Sequence, residues 1–162
     1  MKKNLHIIIA VLCFNIGIAQ QQVTTYYFIR HAEKVDDSKN PDLSENGLKR
    51  ANQWNAIFAD VHFDEIYSTN YKRTMQTAAP IATAKNIKTT IYDLKDLNID
   101  HFKNENLNKR VLIVGHSNSI PKFVNQVIKY NLFPDIEDTV YGNLYIITIT
   151  GDTASYHLLK LP

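Results

Sequence analysis

The sequence predicts an α/β fold, a three-layer α/β/α sandwich around a mostly parallel central sheet. Short apolar, strand-like runs alternate with helix-period segments from Thr24 onward. Two of these runs, Thr24-Thr25-Tyr26-Tyr27-Phe28-Ile29 and Arg110-Val111-Leu112-Ile113-Val114-Gly115, are too apolar to keep one wet face. They belong in the middle of a sheet covered on both sides. No Pro/Gly/Ser-rich linker or internal repeat divides the chain, so a single domain over residues 20–162 is expected.

The first strand stops at Arg30-His31. Residues 44–59 follow with Leu48, Ala51, Trp54, Asn55 and Phe58 at helical spacing and Ser44 as the N-cap, which predicts a helix whose apolar stripe lies on the sheet. Glu65-Ile66-Tyr67-Ser68-Thr69 reads as the second strand. Residues 73–85 carry Met75, Ala78, Ala79, Ile81 and Ala82 in a helix that Pro80 should bend or interrupt. A third strand is expected over 89–94, and the fourth is the run that ends at Gly115-His116. A helix over 121–130 begins with Pro121, where a missing N–H costs least, and packs Phe123 and Val127 inward. Residues 144–150 and 155–161, joined by Thr150-Gly151-Asp152, predict a closing antiparallel hairpin.

Composition narrows the function classes. The 162 residues are 44% apolar and 21% charged, with 18 basic against 16 acidic side chains. That balance lacks the basic footprint of a nucleic-acid binder. Lys2 and Lys3 precede the apolar run from Ile7 to Ile18, which is shorter than the roughly 20 residues needed to span a bilayer. With Gly17-Ile18-Ala19 behind it, this predicts a signal peptide over residues 1–19, cleaved after Ala19, and an exported (periplasmic or secreted) domain with no stable membrane insertion. Cys13, the only cysteine, would leave with it; the competing expectation is a lipid anchor on Cys13, although Leu12 is a poor residue before such a site.

The chemistry is concentrated at strand ends. His31 and His116 each terminate an apolar strand, and in an open α/β sheet ligands bind at the carboxyl edge of the strands. Either histidine alone could be a satisfied polar residue. Arg30 beside the first and Arg73 at the start of the helix after the second strand change the balance, because two guanidiniums with two imidazoles form an anion site. Such charges would repel a metal cation, which counts against the rival set His31, Glu33 and His116 as metal ligands. They would also hold an imidazole neutral, leaving it a competent nucleophile towards phosphorus.

Four segments carry a family resemblance. Arg30-His31-Ala32-Glu33-Lys34, Leu43-Ser44-x-x-Gly47-x-x-Arg50-Ala51, Ile66-Tyr67-Ser68-Thr69 through Arg73-Thr74-Met75-Gln76-Thr77-Ala78, and Val114-Gly115-His116-Ser117-Asn118 run in the order found in the histidine phosphatase, or phosphoglycerate mutase-like, superfamily. The short chain is most similar to its compact branch, which lacks the capping insertions of phytases and mutases. The resemblance implies that His31 attacks phosphorus to give a transient phosphohistidine while Arg30, Arg73 and His116 hold the phosphoryl oxygens. It implies no metal and no cofactor. The expected partner is a phosphorylated small molecule or phosphoprotein substrate; oligomeric state stays open.

One departure concerns the proton donor. Relatives place a carboxylate after the third strand, or an Asp after the second histidine, but here His116 is followed by Ser117. Asp96 is the nearest positional candidate, with Glu33 and Glu137 behind it, and a site with no acid at all would favour substrates with good leaving groups. The resemblance as a whole implies a metal-independent phosphatase of the histidine acid phosphatase type, a phosphoric monoester hydrolase acting on a phosphomonoester or phosphoramidate. Its rivals are a phospholigand-binding module without turnover, a phosphoglycerate mutase-type phosphotransferase and a metallohydrolase.

Overall fold

The computed structural model describes residues 22–162; the expected signal segment, with Cys13 and the cleavage position after Ala19, lies outside the described residues. Ten elements follow in the order β1 (Val23–Arg30), α1 (Glu45–Ile57), β2 (Glu65–Ser68), α2 (Lys72–Lys85), β3 (Thr89–Ile91), α3 (Ile99–Glu105), β4 (Arg110–Gly115), α4 (Ser119–Ile128), β5 (Asn143–Thr150) and β6 (Thr153–Lys160). They build one six-stranded sheet in the order β3-β2-β4-β1-β5-β6. The β3-β2-β4-β1 half is parallel, and β5 and β6 add antiparallel strands beyond β1. The phosphoglycerate mutase-like sandwich expected from the sequence is the fold observed.

Strand periodicity explains the two cores. Tyr26 and Phe28 of β1 and Val111 and Ile113 of β4 face one side, where Phe102 of α3 and Phe123, Val124 and Val127 of α4 cover them. Ile29, Leu112 and Val114 face the other, against Trp54 of α1, Phe58 just after it, and Ala78 and Ile81 of α2. Continuous apolar runs were needed because both faces are buried. Ser44 caps α1 as expected, its Oγ accepting from the Gly47 N–H at 3.0 Å. The β5–β6 hairpin turns through Gly151, whose φ of +57° suits the first position of a two-residue loop.

Several expectations are corrected. The helix α3 was not anticipated: its seven residues, capped by the Asn98 side chain on the His101 N–H, present little but Phe102 to the core. Strand β3 ends at Ile91 instead of Leu94, because only Thr89, Thr90 and Ile91 pair with β2. Pro80 does not interrupt α2, which runs on to Lys85 and stops where Asn86 adopts a left-handed φ of 55°. Helix α4 starts two residues before Pro121, and α1 ends at Ile57. Leu48, placed in the apolar stripe by spacing, is 49% exposed on the outer side of α1.

The loop from β1 to α1 is pinned by close packing. The Glu33 carbonyl accepts the Ser44 N–H at 2.9 Å and lies so near Gly47 that a Cβ there would come within 2.1 Å of it. Replacing Gly47 by alanine must push the first turn of α1 away from the strand end. Gly47→Ala is expected to cost about 1–3 kcal/mol of stability, as overpacked sites do, read as a lowered Tm in thermal unfolding; an unchanged Tm would contradict this account.

Candidate active site

The sheet register sets the site. Arg30 pairs with Gly115 across the parallel β1–β4 ladder, so the residues that follow leave the sheet side by side. The His31 N–H donates to the Gly115 carbonyl at 2.8 Å, and the rings of His31 and His116 lie 5.5 Å apart between centroids. On the other flank of β4, Ser68 pairs with Val114, which delivers Thr69 and the first turn of α2 to the same edge. Arg73 enters from that turn: its Nη2 donates to His116 Nδ1 at 3.2 Å, and its guanidinium lies 4.5 Å from the Tyr71 ring centre. Arg30, His31, Arg73 and His116 all line one cavity of about 1490 Å³. The sequence expected these four groups to meet, and they do.

Arg30 is held more elaborately than the sequence suggested. Its Nη1 donates to the carbonyls of Glu137, Asp138 and Val140 at 2.9, 3.0 and 2.9 Å. Its Nη2 lies 3.6 Å from Asp138 Oδ1, and its guanidinium sits 4.3 Å from the Tyr141 ring centre. The residue is 3% exposed, and its Nε is buried with no hydrogen-bond partner among the described residues. The loop before β5 is thus tied to the end of β1, which puts Tyr141 at 6.1 Å from the His31 ring while Asn143 is buried in the sheet.

His31 has a defined tautomer. Its Nδ1 lies 2.7 Å from the Ala32 carbonyl oxygen, which can only accept, so Nδ1 carries the proton and Nε2 keeps its lone pair. Burial drives its pKa down from 6.5 to about 3; the bond to Ala32 opposes this shift, and the charges of Arg30, His116 and Arg73 reinforce it. His116 falls to about 4, through burial first and then Arg73 and Arg30. Both rings are neutral at ordinary pH. A neutral imidazole beside two guanidiniums can attack an electrophile whose negative oxygens those guanidiniums neutralise.

The expected proton donors do not reach this cavity. Asp96 lines a smaller one with Tyr67 and Phe102, the Glu33 carboxylate accepts from Arg50 Nε at 2.8 Å, and Glu137 contributes its backbone carbonyl to Arg30. Asp93, Asp135 and Asp138 line the main cavity instead. Asp93 was missed because the third strand was drawn through it; with β3 ending at Ile91, Asp93 sits on the loop that follows. Glu33 is paired with Arg50 and does not line the cavity that His31 and His116 share. Lys34 lines the cavity but pairs with Asp37, and Lys72 pairs with Asp42 at 2.9 Å. Lys39 offers its carbonyl to Arg73 Nη1 at 3.4 Å. His62 and His101 lie outside this cavity, beside Asp64 and Glu105 respectively.

The two lowered histidines set an acid-stability window. An unfolded imidazole takes up a proton near pH 6.5, whereas folded His31 resists until about 3. Their stabilising contribution is therefore complete above about pH 6.5 and declines as the pH falls towards the folded values. Ring NMR signals of His31 should stay those of a neutral imidazole from about pH 8 down to about pH 5, and half-protonation near 6.5 would contradict the burial argument.

Residues 26–98 match the histidine phosphatase superfamily (branch 1). Phosphoserine phosphatase 1 of Hydrogenobacter thermophilus is 39% identical over 80 residues, a stretch that covers 45% of this chain and 37% of that relative. Among solved structures, the alpha-ribazole phosphatase from Shigella flexneri superposes with a TM-score of 0.64 at 14% identity, over 85% of this chain and 96% of that one. The protein histidine phosphatase SixA complexed with tungstate gives 0.66 at 14% identity, over 84% and 96%. At such identities the superpositions establish a shared fold. The stretch matched by the superfamily contains the end of β1 with Arg30 and His31 and the start of α2 with Arg73.

Proposed function

We propose that the protein is a metal-independent phosphatase acting on a phosphorylated small molecule or phosphoprotein through a phosphohistidine on His31. The observation that carries this is the free Nε2 of a neutral, buried His31 in a cavity that also receives Arg30, Arg73 and His116. The match of residues 26–98 to the histidine phosphatase superfamily and the likeness to a phosphoserine phosphatase support it.

In the first step, His31 Nε2 donates its lone pair to phosphorus in line with the leaving oxygen. The N–P bond forms as the P–O bond breaks, and the leaving oxygen keeps the bonding pair and takes a proton. Arg30 and Arg73 neutralise the phosphoryl oxygens throughout, and the Ala32 carbonyl on Nδ1–H stabilises the positive ring of the phosphohistidine. Water then attacks phosphorus and gives up a proton to a base, the N–P bond breaks with its pair returning to Nε2, and inorganic phosphate leaves. Asp93 fits the proton-transfer role, since it lies on the loop after β3 and lines the cavity, whereas Asp138 is placed against Arg30.

Release of phosphate from p-nitrophenyl phosphate in the presence of a chelator is the expected result, with an acid-labile phosphoenzyme trapped on rapid quenching. His31→Ala should lower kcat by more than about 10³-fold, as loss of a nucleophile does. Phosphate binding by calorimetry without turnover of any activated ester would identify a binding module instead, and activity abolished by chelation would identify a metallohydrolase. Asp93→Asn should slow an alkyl phosphate by about 10²-fold and p-nitrophenyl phosphate far less, because nitrophenolate leaves without a proton. Equal losses on the two substrates would remove Asp93 from that role.

A further inference from the structure

His116 has both ring nitrogens engaged. Nδ1 lies 3.2 Å from Arg73 Nη2, and Nε2 lies 2.9 Å from the hydroxyl of Thr69. A guanidinium only donates, so Nδ1 must be the unprotonated nitrogen. The other end of the chain leads to the same conclusion independently. Thr69 Oγ1 is 3.0 Å from Thr74 Oγ1, which in turn lies 2.9 Å from the carbonyl oxygens of both Thr69 and Tyr71. Carbonyls only accept, so the Thr74 hydroxyl donates to them, its oxygen accepts the Thr69 hydroxyl proton, and the Thr69 oxygen accepts Nε2–H.

We infer that Thr69, backed by Thr74, is a positioning residue that fixes His116 as its Nε2–H tautomer and so turns the Nδ1 lone pair of His116 to Arg73. Thr69 and Thr74 are buried, the first just beyond the end of β2 and the second in the first turn of α2, so the relay is locked into the same sheet edge as the histidines. The edge-on Tyr71 ring, 5.0 Å from His116 and stacked against Arg73, completes the holder. In the unliganded site His116 is then a neutral ring whose Nδ1 lone pair orients the Arg73 guanidinium. The opposite tautomers of the two histidines divide their work: His31 turns a lone pair towards substrate, and His116 turns one towards Arg73. This assignment rests on the anion site of the proposed phosphatase but not on turnover.

The test has a spectroscopic and a binding arm. In the unliganded protein, nitrogen-15 NMR should report a protonated Nε2 and a bare Nδ1 on His116, with the reverse pattern on His31. Thr69→Val should leave His116 a mixture of tautomers, and Thr69→Ser should restore one. Calorimetric binding of inorganic phosphate should weaken about tenfold in Thr69→Val, the worth of one hydrogen bond to a charged group, and recover in Thr69→Ser. In an Arg73→Ala background the same Thr69→Val change should have little further effect. An Nδ1–H signal on His116 in the wild-type chain would overturn the assignment, as would an undiminished effect of Thr69→Val without Arg73. Neither arm needs catalysis: the expected tautomer and phosphate binding with no turnover would sink the phosphatase alone, and normal turnover with the wrong tautomer would sink this inference alone.

Discussion

The site depends on one constraint, the parallel pairing of β1 with β4 in a register that sets Arg30 opposite Gly115. Parallel neighbours end at the same edge of a sheet, so two strands far apart in sequence release their next residues into the same space. Burial makes the register costly to change. A slip of one residue would turn Tyr26, Phe28, Val111 and Ile113 to the opposite face and unmatch both cores together. The position of His31 relative to His116 is thus fixed by hydrophobic packing well behind the chemistry.

The same packing sets the electrostatics. Charges at this edge are only partly hydrated, and Arg30 is almost fully enclosed. A buried guanidinium is tolerated because backbone carbonyls of the 137–140 loop and the Tyr141 face take the place of water. Burial that leaves the guanidiniums charged leaves the imidazoles neutral, since a ring can shed its proton while arginine cannot. One desolvated edge therefore yields both halves of the proposed chemistry, fixed cations and an unprotonated imidazole.

What could be read in the sequence follows from where the information is local. The central strands, the Ser44 cap and the four convergent groups were legible because unbroken apolar runs, a hydroxyl before a helical pattern and residues at strand ends are written in contiguous segments. Helix α3 was not, since its seven residues place little more than Phe102 in the core and show no amphipathic period. The proton-transfer candidate was lost through a boundary error: Tyr92 is buried and extends the apolar look of β3, although pairing stops at Ile91, so Asp93 was read as part of a strand. The grip of the 137–140 loop on Arg30 left no signal, because backbone carbonyls do the work and any residue supplies one.

That last contact changes how the hairpin is understood. From sequence, β5 and β6 close the sheet and the loop before them is a connection. In the structure the loop contributes the acceptors that fill Arg30 Nη1, which leaves Nη2 with only the long Asp138 contact and Nε buried without a partner among the described residues. Asp138 stands 3.6 Å from Nη2 while 96% exposed, a weak, solvent-screened contact. Arg73 is held in a parallel way, one side on His116 and its face on Tyr71. Each cation is held by carbonyls, a neutral ring or an aromatic face, groups of low charge that keep its orientation without cancelling its field. Preorganisation of this kind is what the proposed phosphoryl transfer requires, because fixed cations need not reorient as charge develops in a reaction.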